Sequence, residues 1–187
     1  MKKVVSIDLD NVLFDNKELI IPIFKKYGYE YFPPKDWEMS EYPEEVKKDI
    51  FNLFREPKFA EQPLIEKDIR YKLHEINKIY DVKFVSNRFG MLFLSTFKQL
   101  LIQFPDFFSI EKLIFVASKK SNVLKKYDLE MHFDDSPYVV EDLKRNNLNI
   151  TMVSNDDTLY NHYLRESVNY VSRLSEGLDQ LLLKNSR

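Results

Sequence analysis

Short apolar, β-branched runs recur along this chain at Val4–Ile7, Val82–Val85, Leu113–Val116, Met131–Phe133 and Ile150–Val153. Between them lie segments whose apolar residues repeat at helical spacing: Met91–Phe104, Ser121–Tyr127 and Pro137–Asn146, with Gly177–Leu183 in a last helix. Ser136 before a first-turn proline, with acids in the opening turns, marks a helix start. Strands alternating with helical segments are the pattern of βαβ units. The pattern predicts an α/β fold, a Rossmann-like parallel sheet with helices on both faces.

One interval breaks the rhythm. From about Phe14 to Asp81 no strand is evident, and helical spacing at Asn16–Tyr27, Glu44–Phe54 and Leu64–Tyr80 is broken by Pro33-Pro34, Pro43, Pro57 and Pro63. That is too long for a simple crossover. The expected division is a core of residues 1–13 and 81–187, with a helical insertion over 14–80. The insertion leaves from the carboxyl end of the first strand, so it should sit above whatever that strand end carries.

Composition narrows the picture without naming a function. At 187 residues with 44% hydrophobic content, the chain can hold one α/β domain and a modest insertion. No apolar run is long enough to span a bilayer, and the start resembles no signal peptide. Zero cysteines remove disulfides, thiolate catalysis and Cys-based zinc sites, and the expectation is a cytoplasmic protein. A net charge of -2 with scattered lysine pairs gives no footprint for a nucleic-acid polymer. Three glycines are too few for a Gly-rich phosphate loop. His74, His132 and His162 lack metal-ligand spacing, and His132, on an expected buried strand, reads as structural.

The chemistry begins where the first strand ends, in Asp8-Leu9-Asp10. Alternation along a strand puts Asp8 and Asp10 on one side, at the carboxyl edge where open α/β sheets bind ligands. Two acids that close repel unless a metal or proton compensates. Three later strand ends carry matching polar groups: Ser86-Asn87-Arg88, Ser118-Lys119-Lys120 and Asp134-Asp135-Ser136-Pro137. A parallel sheet could gather all four around one small anion.

Acids, then a hydroxyl, then a lysine, then paired acids, in that order, resemble the haloacid dehalogenase superfamily of phosphatases. The long helical interval matches the position of that family's first type of cap. The Ser-x-Arg and Asp-Asp-Ser-Pro motifs look most like those of the 5′(3′)-deoxyribonucleotidases. The resemblance implies a Mg²⁺-dependent phosphomonoesterase with a phospho-aspartyl intermediate, acting on a nucleoside monophosphate. It makes Asp8 the nucleophile and Asp10 the acid/base. It implies that the metal is held by Asp8, the Asp10 carbonyl and Asp135, with Asp134 in support. Ser86, Asn87, Arg88 and Lys120, with Lys119 as the fallback, would bind the phosphate.

The residues leave other readings open. Another small phosphometabolite such as a sugar phosphate would suit the same chemistry. So would a non-catalytic receiver-like phospho-acceptor domain, although its acid pair should come first in the chain. The insertion is aromatic-rich; most of these rings should be core, with Phe14 and Trp37 the candidates for stacking on a base. Oligomeric state is not legible.

Overall fold

The computed structural model describes residues 2–32, 39–154 and 168–185. Among the described residues six strands form one sheet: β1 (Val4–Ile7), β2 (Asp81–Ser86), β3 (Leu113–Phe115), β4 (Leu129–Asp134), β5 (Ile150–Val153) and β6 (Asn169–Val171). Their order is β3-β2-β1-β4-β5-β6, and every neighbouring pair is parallel. β1 is central and buried along its whole length, as an apolar run covered on both faces requires. In register, Ile7 lies opposite Phe84 of β2 and Phe133 of β4. Asp8 and Asp134, the residues just beyond, therefore emerge side by side, with Ser86 at the end of the neighbouring β2 two residues past Phe84.

Helices cover both faces. On one, α3 (Ile69–Ile79), α4 (Phe93–Gln103) and the last helix, α7 (Leu174–Asn185), are built into the main core. Ile69, Leu73, Ile76, Leu100, Leu174 and Leu178 pack there with Ile7, Phe84 and Phe133. Gly177 lets α7 come close: a Cβ at that position would lie 2.3 Å from the Phe133 ring. On the other face, α5 (Ser121–Leu124) and α6 (Pro137–Arg145) supply Leu124, Val140 and Leu143 against Val85 and Met152.

Two helices of the long interval have a core of their own. In α1 (Lys17–Lys26) and α2 (Glu44–Leu53), Ile20, Phe24, Val46, Ile50 and Leu53 pack with Tyr42 and Phe59. Phe24 meets Tyr42 edge to face at 4.8 Å, an arrangement that the ring quadrupoles favour. α3 belongs instead to the sheet, because its apolar stripe of Ile69, Leu73 and Ile76 faces the main core. The two connections run together: Phe14 bridges Leu64 in antiparallel fashion, and Asp15 N–H donates to the Pro63 carbonyl. Leu64, expected at a helix start, is held in that bridge, so α3 begins only at Ile69. Among the described residues no helix is long and apolar enough to cross a membrane.

Candidate active site

The four strand ends do converge. Asp8 follows β1 and is buried. Lys120, at the start of α5, donates to Asp8 Oδ1 at 2.5 Å and to Asp134 Oδ2 at 2.7 Å. Asp134 closes β4 and is fully buried. Its Oδ2 also meets His132 Nε2 at 2.8 Å, and its Oδ1 accepts the Ser136 N–H. His132 Nδ1 in turn contacts the Ser6 hydroxyl at 2.8 Å. Ser6, His132, Asp134, Lys120 and Asp8 thus form one buried polar chain, from mid-sheet to the sheet edge. His132 is structural in the sense that it orients Asp134.

Burial sets the protonation of this chain. Desolvation raises the Asp8 carboxyl above the ordinary range, with Asp134 and Asp10 adding repulsion against the pull of Lys120. Asp135 is raised by burial, then by Asp134 and Asp8. For Asp134, Lys120 and His132 outweigh burial and hold the carboxyl low. Burial keeps His132 below its usual value, hence neutral near pH 7. Burial would lower Lys120 as well, but Asp134 and Asp8 more than reverse it. The nucleophile candidate is thus poised against expulsion from water, and its lysine stays charged.

Asp8, Asp134 and Asp135 each present a carboxylate oxygen within 4.8 Å of the others. The set is all oxygen. Four carboxyl groups, those of Asp8, Asp10, Asp134 and Asp135, face two cations, Lys120 and Arg88, so that with all four ionised two negative charges are left. A hard divalent ion fits both the donor type and the charge. Because Asp134 is fully engaged by Lys120, His132 and Ser136, Asp135 is the freer ligand of the pair.

Asp10, two residues from Asp8, has different neighbours. Its carboxylate is gripped by Arg88 at both oxygens, Nε to Oδ2 at 2.9 Å and Nη2 to Oδ1 at 2.8 Å. Gln62 adds a bond to Oδ1 at 3.2 Å. Asn11, next in the chain, takes a positive φ of 58°, which asparagine tolerates better than most residues.

The other expected phosphate ligands are placed as follows. Ser86 is buried at the end of β2, and its Oγ accepts the Arg88 backbone N–H, so its own O–H donor is not used in that bond. Asn87 donates to the carbonyls of Val116 and Ser118 at 2.7 and 2.9 Å, which pins the loop that carries Lys120. Arg88 points to Asp10 instead of an open site. Lys119 lies on the exposed side, 3.6 Å from Asp142. Phe14 is 0% exposed inside the main core, so it offers no face to a base, contrary to expectation. Trp37 lies outside the described residues.

Three residues at this site were not expected: Gln62, Thr96 and Gln99. Thr96 and Gln99 left a trace in the sequence, since both fall in the buried phase of α4 beside Leu92 and Leu100. Polar residues on an apolar stripe need partners, and here the partner is Arg88.

No protein-family model matches the chain, and no curated protein matches it in sequence. Solved structures do match. A haloacid dehalogenase-like hydrolase from Bacteroides fragilis superposes with a TM-score of 0.64 at 14% identity, covering 94% of this chain and 99% of its own. A haloacid dehalogenase-like hydrolase from Streptococcus pneumoniae gives 0.61 at 11%, covering 97% and 98%. A protein assigned as a β-phosphoglucomutase from Thermotoga maritima gives 0.58 at 17%, covering 96% and 98%. The fold is that of the haloacid dehalogenase-like hydrolases. At such identities the likeness is one of fold, and within this fold the chemistry must be argued from the site itself.

Proposed function

We propose that this chain is a Mg²⁺-dependent phosphomonoesterase that works through a phospho-aspartyl intermediate. The carrying observation is the buried Asp8 carboxylate, held by Lys120 at 2.5 Å beside the Asp134-Asp135 pair at the sheet edge. Asp8 attacks phosphorus; its Oδ–P bond forms as the bond to the leaving oxygen breaks, and Asp10 gives that oxygen a proton. Water then attacks the phosphorus of the acyl-phosphate and returns a proton to Asp10, releasing inorganic phosphate and the Asp8 carboxylate. Ser86 and Lys120 bind the phosphoryl oxygens. Asp8, Asp135 and the Asp10 carbonyl would hold Mg²⁺, which supplies positive charge for the phosphoryl oxygens.

The substrate is a small phosphorylated metabolite, and the likeness of the Ser-x-Arg and Asp-Asp-Ser-Pro motifs to those of the deoxyribonucleotidases favours a nucleoside 5′-monophosphate. A sugar phosphate is the second reading, favoured by likeness to proteins from Thermotoga maritima and Bacteroides vulgatus that are assigned as β-phosphoglucomutases. The α1–α2 unit, with its own core, would act as the cap that selects between them. The reading includes a cytoplasmic location, in keeping with a chain that has no cysteine.

The test is hydrolysis by the purified chain of nucleoside monophosphates, sugar phosphates and pyridoxal phosphate with Mg²⁺ present. Activity lost on adding EDTA or beryllofluoride is expected. Metal-independent hydrolysis would contradict the mechanism, whereas a preference for sugar phosphates would change only the substrate.

A further inference from the structure

Arg88 is a long cation with no visible route to a substrate. Its side chain is 1% exposed, against 23% for Asp10. Arginine carries five N–H donors in a planar fork, and all five are engaged by the protein. Nε and one Nη2 hydrogen take the two oxygens of Asp10. The other Nη2 hydrogen goes to Gln62 Oε1 at 2.8 Å. Nη1 goes to Thr96 Oγ1 at 3.1 Å and Gln99 Oε1 at 3.2 Å. The guanidinium also lies over two rings, Phe59 at 5.1 Å and Phe14 at 5.8 Å to their centroids.

The supports come from every side. Phe14 belongs to the main core and Phe59 to the α1–α2 core, so Arg88 sits where these two apolar clusters meet. Gln62 bonds Asn16 Oδ1 at 2.8 Å, while its backbone carbonyl accepts from Gln99 Nε2 at 3.0 Å. Asn16 and Gln62 stand on the two connections that join α1 and α2 to the sheet. Swinging Arg88 toward a phosphate would break the fork and strand a buried charge, which is costly. A bidentate fork fixes a carboxylate in plane as well as in place.

We infer that Arg88 is a positioning residue for Asp10, and that Thr96, Gln99 and Gln62 lock its guanidinium in that task. It touches no substrate. The inference rests on the proposed acid/base role of Asp10, because orientation matters only if a proton must pass at that carboxylate.

The two roles open to Arg88 differ in what they do to substrates with unlike leaving groups. An alkoxide needs a proton as it departs, and a 4-nitrophenolate does not. The measurement is the rapid-mixing rate of the first turnover of Arg88→Met, with Mg²⁺, on an alkyl phosphate and on 4-nitrophenyl phosphate. Loss of a positioned acid should slow the alkyl ester by roughly 100-fold or more and leave the aryl ester nearly unchanged. Inhibition by inorganic phosphate should stay as in the parent. Equal losses on both esters, or weaker inhibition by inorganic phosphate, would overturn the inference. If Arg88→Met does not fold, Gln99→Met removes one support and should bias the two esters in the same direction by a smaller factor. No bias there would likewise overturn it. A parent protein that hydrolyses neither ester would instead refute the phosphatase reading.

Discussion

Asp8 and Asp10 leave the same strand with one residue between them, yet the fold treats them oppositely. Asp8 faces inward to a lysine shared with a second acid, in a line of buried polar groups that ends at Ser6. Asp10 faces the junction with the α1–α2 unit and is held by an arginine fork. A lysine is a compact charge with rotatable donors; an arginine is a rigid planar clamp. The first suits the role proposed for Asp8, a group that changes its bonding partners as it attacks phosphorus. The second suits a group that must stay aimed while only a proton moves. The comparison teaches that a short acid motif is resolved into roles by what the neighbouring strand ends supply.

The largest effect should come from breaking the inner half. Asp8→Asn removes the proposed nucleophile and should lower turnover by on the order of 10⁴-fold or more, measured by phosphate release. The same change relieves the repulsion among buried acids, so the metal-free variant should melt above its parent. A lower melting temperature would show that Asp8 is part of the scaffold. Next, Lys120→Met leaves two buried carboxylates without their cation and should cost about 3–5 kcal/mol by urea unfolding.

A smaller effect tests the frame under both halves. Gly177→Ala pushes a methyl into the Phe133 ring on the strand that carries the acid pair. About 1–3 kcal/mol should be lost, read as a lower midpoint of denaturation. Smallest is the pH dependence of the metal-free protein. Burial holds Asp8 and Asp135 above the ordinary carboxylate range, so the folded state binds more protons than the unfolded chain from that range up to neutrality. Stability should therefore fall as pH rises from 5 to 7. Asp134, held low, acts in the opposite sense below that window, and His132, kept neutral in the folded state, opposes the trend within it as one group against two. A rise in melting temperature from pH 5 to 7 would place the inner acids in another environment.

Much of the frame was legible because buried parallel strands are written as apolar, β-branched runs. β1 to β5 all announced themselves in this way. β6 did not: Asn169–Val171 is three residues long, at an edge, with only Val171 buried. The acids and the lysine were legible because strand ends in a parallel sheet collect polar groups. The destination of Arg88 was not, since its partners lie in two separate segments, Gln62 in the connection before α3 and Thr96 and Gln99 on α4, and pair only through the tertiary fold. Phe14 misled for a related reason. It follows the acid loop closely in sequence, but its bridges to Asp10 and Leu64 turn it into the core.

The most direct test of the division of labour is a trapping experiment on Asp10→Asn with 4-nitrophenyl phosphate and Mg²⁺. That variant keeps the proposed nucleophile and lacks the proposed acid/base. The account predicts one equivalent of 4-nitrophenolate in a rapid first phase, then a stall, with the phosphoryl group on Asp8 by peptide mass spectrometry. Continuous turnover, or a phosphoryl group on any other residue, would contradict it.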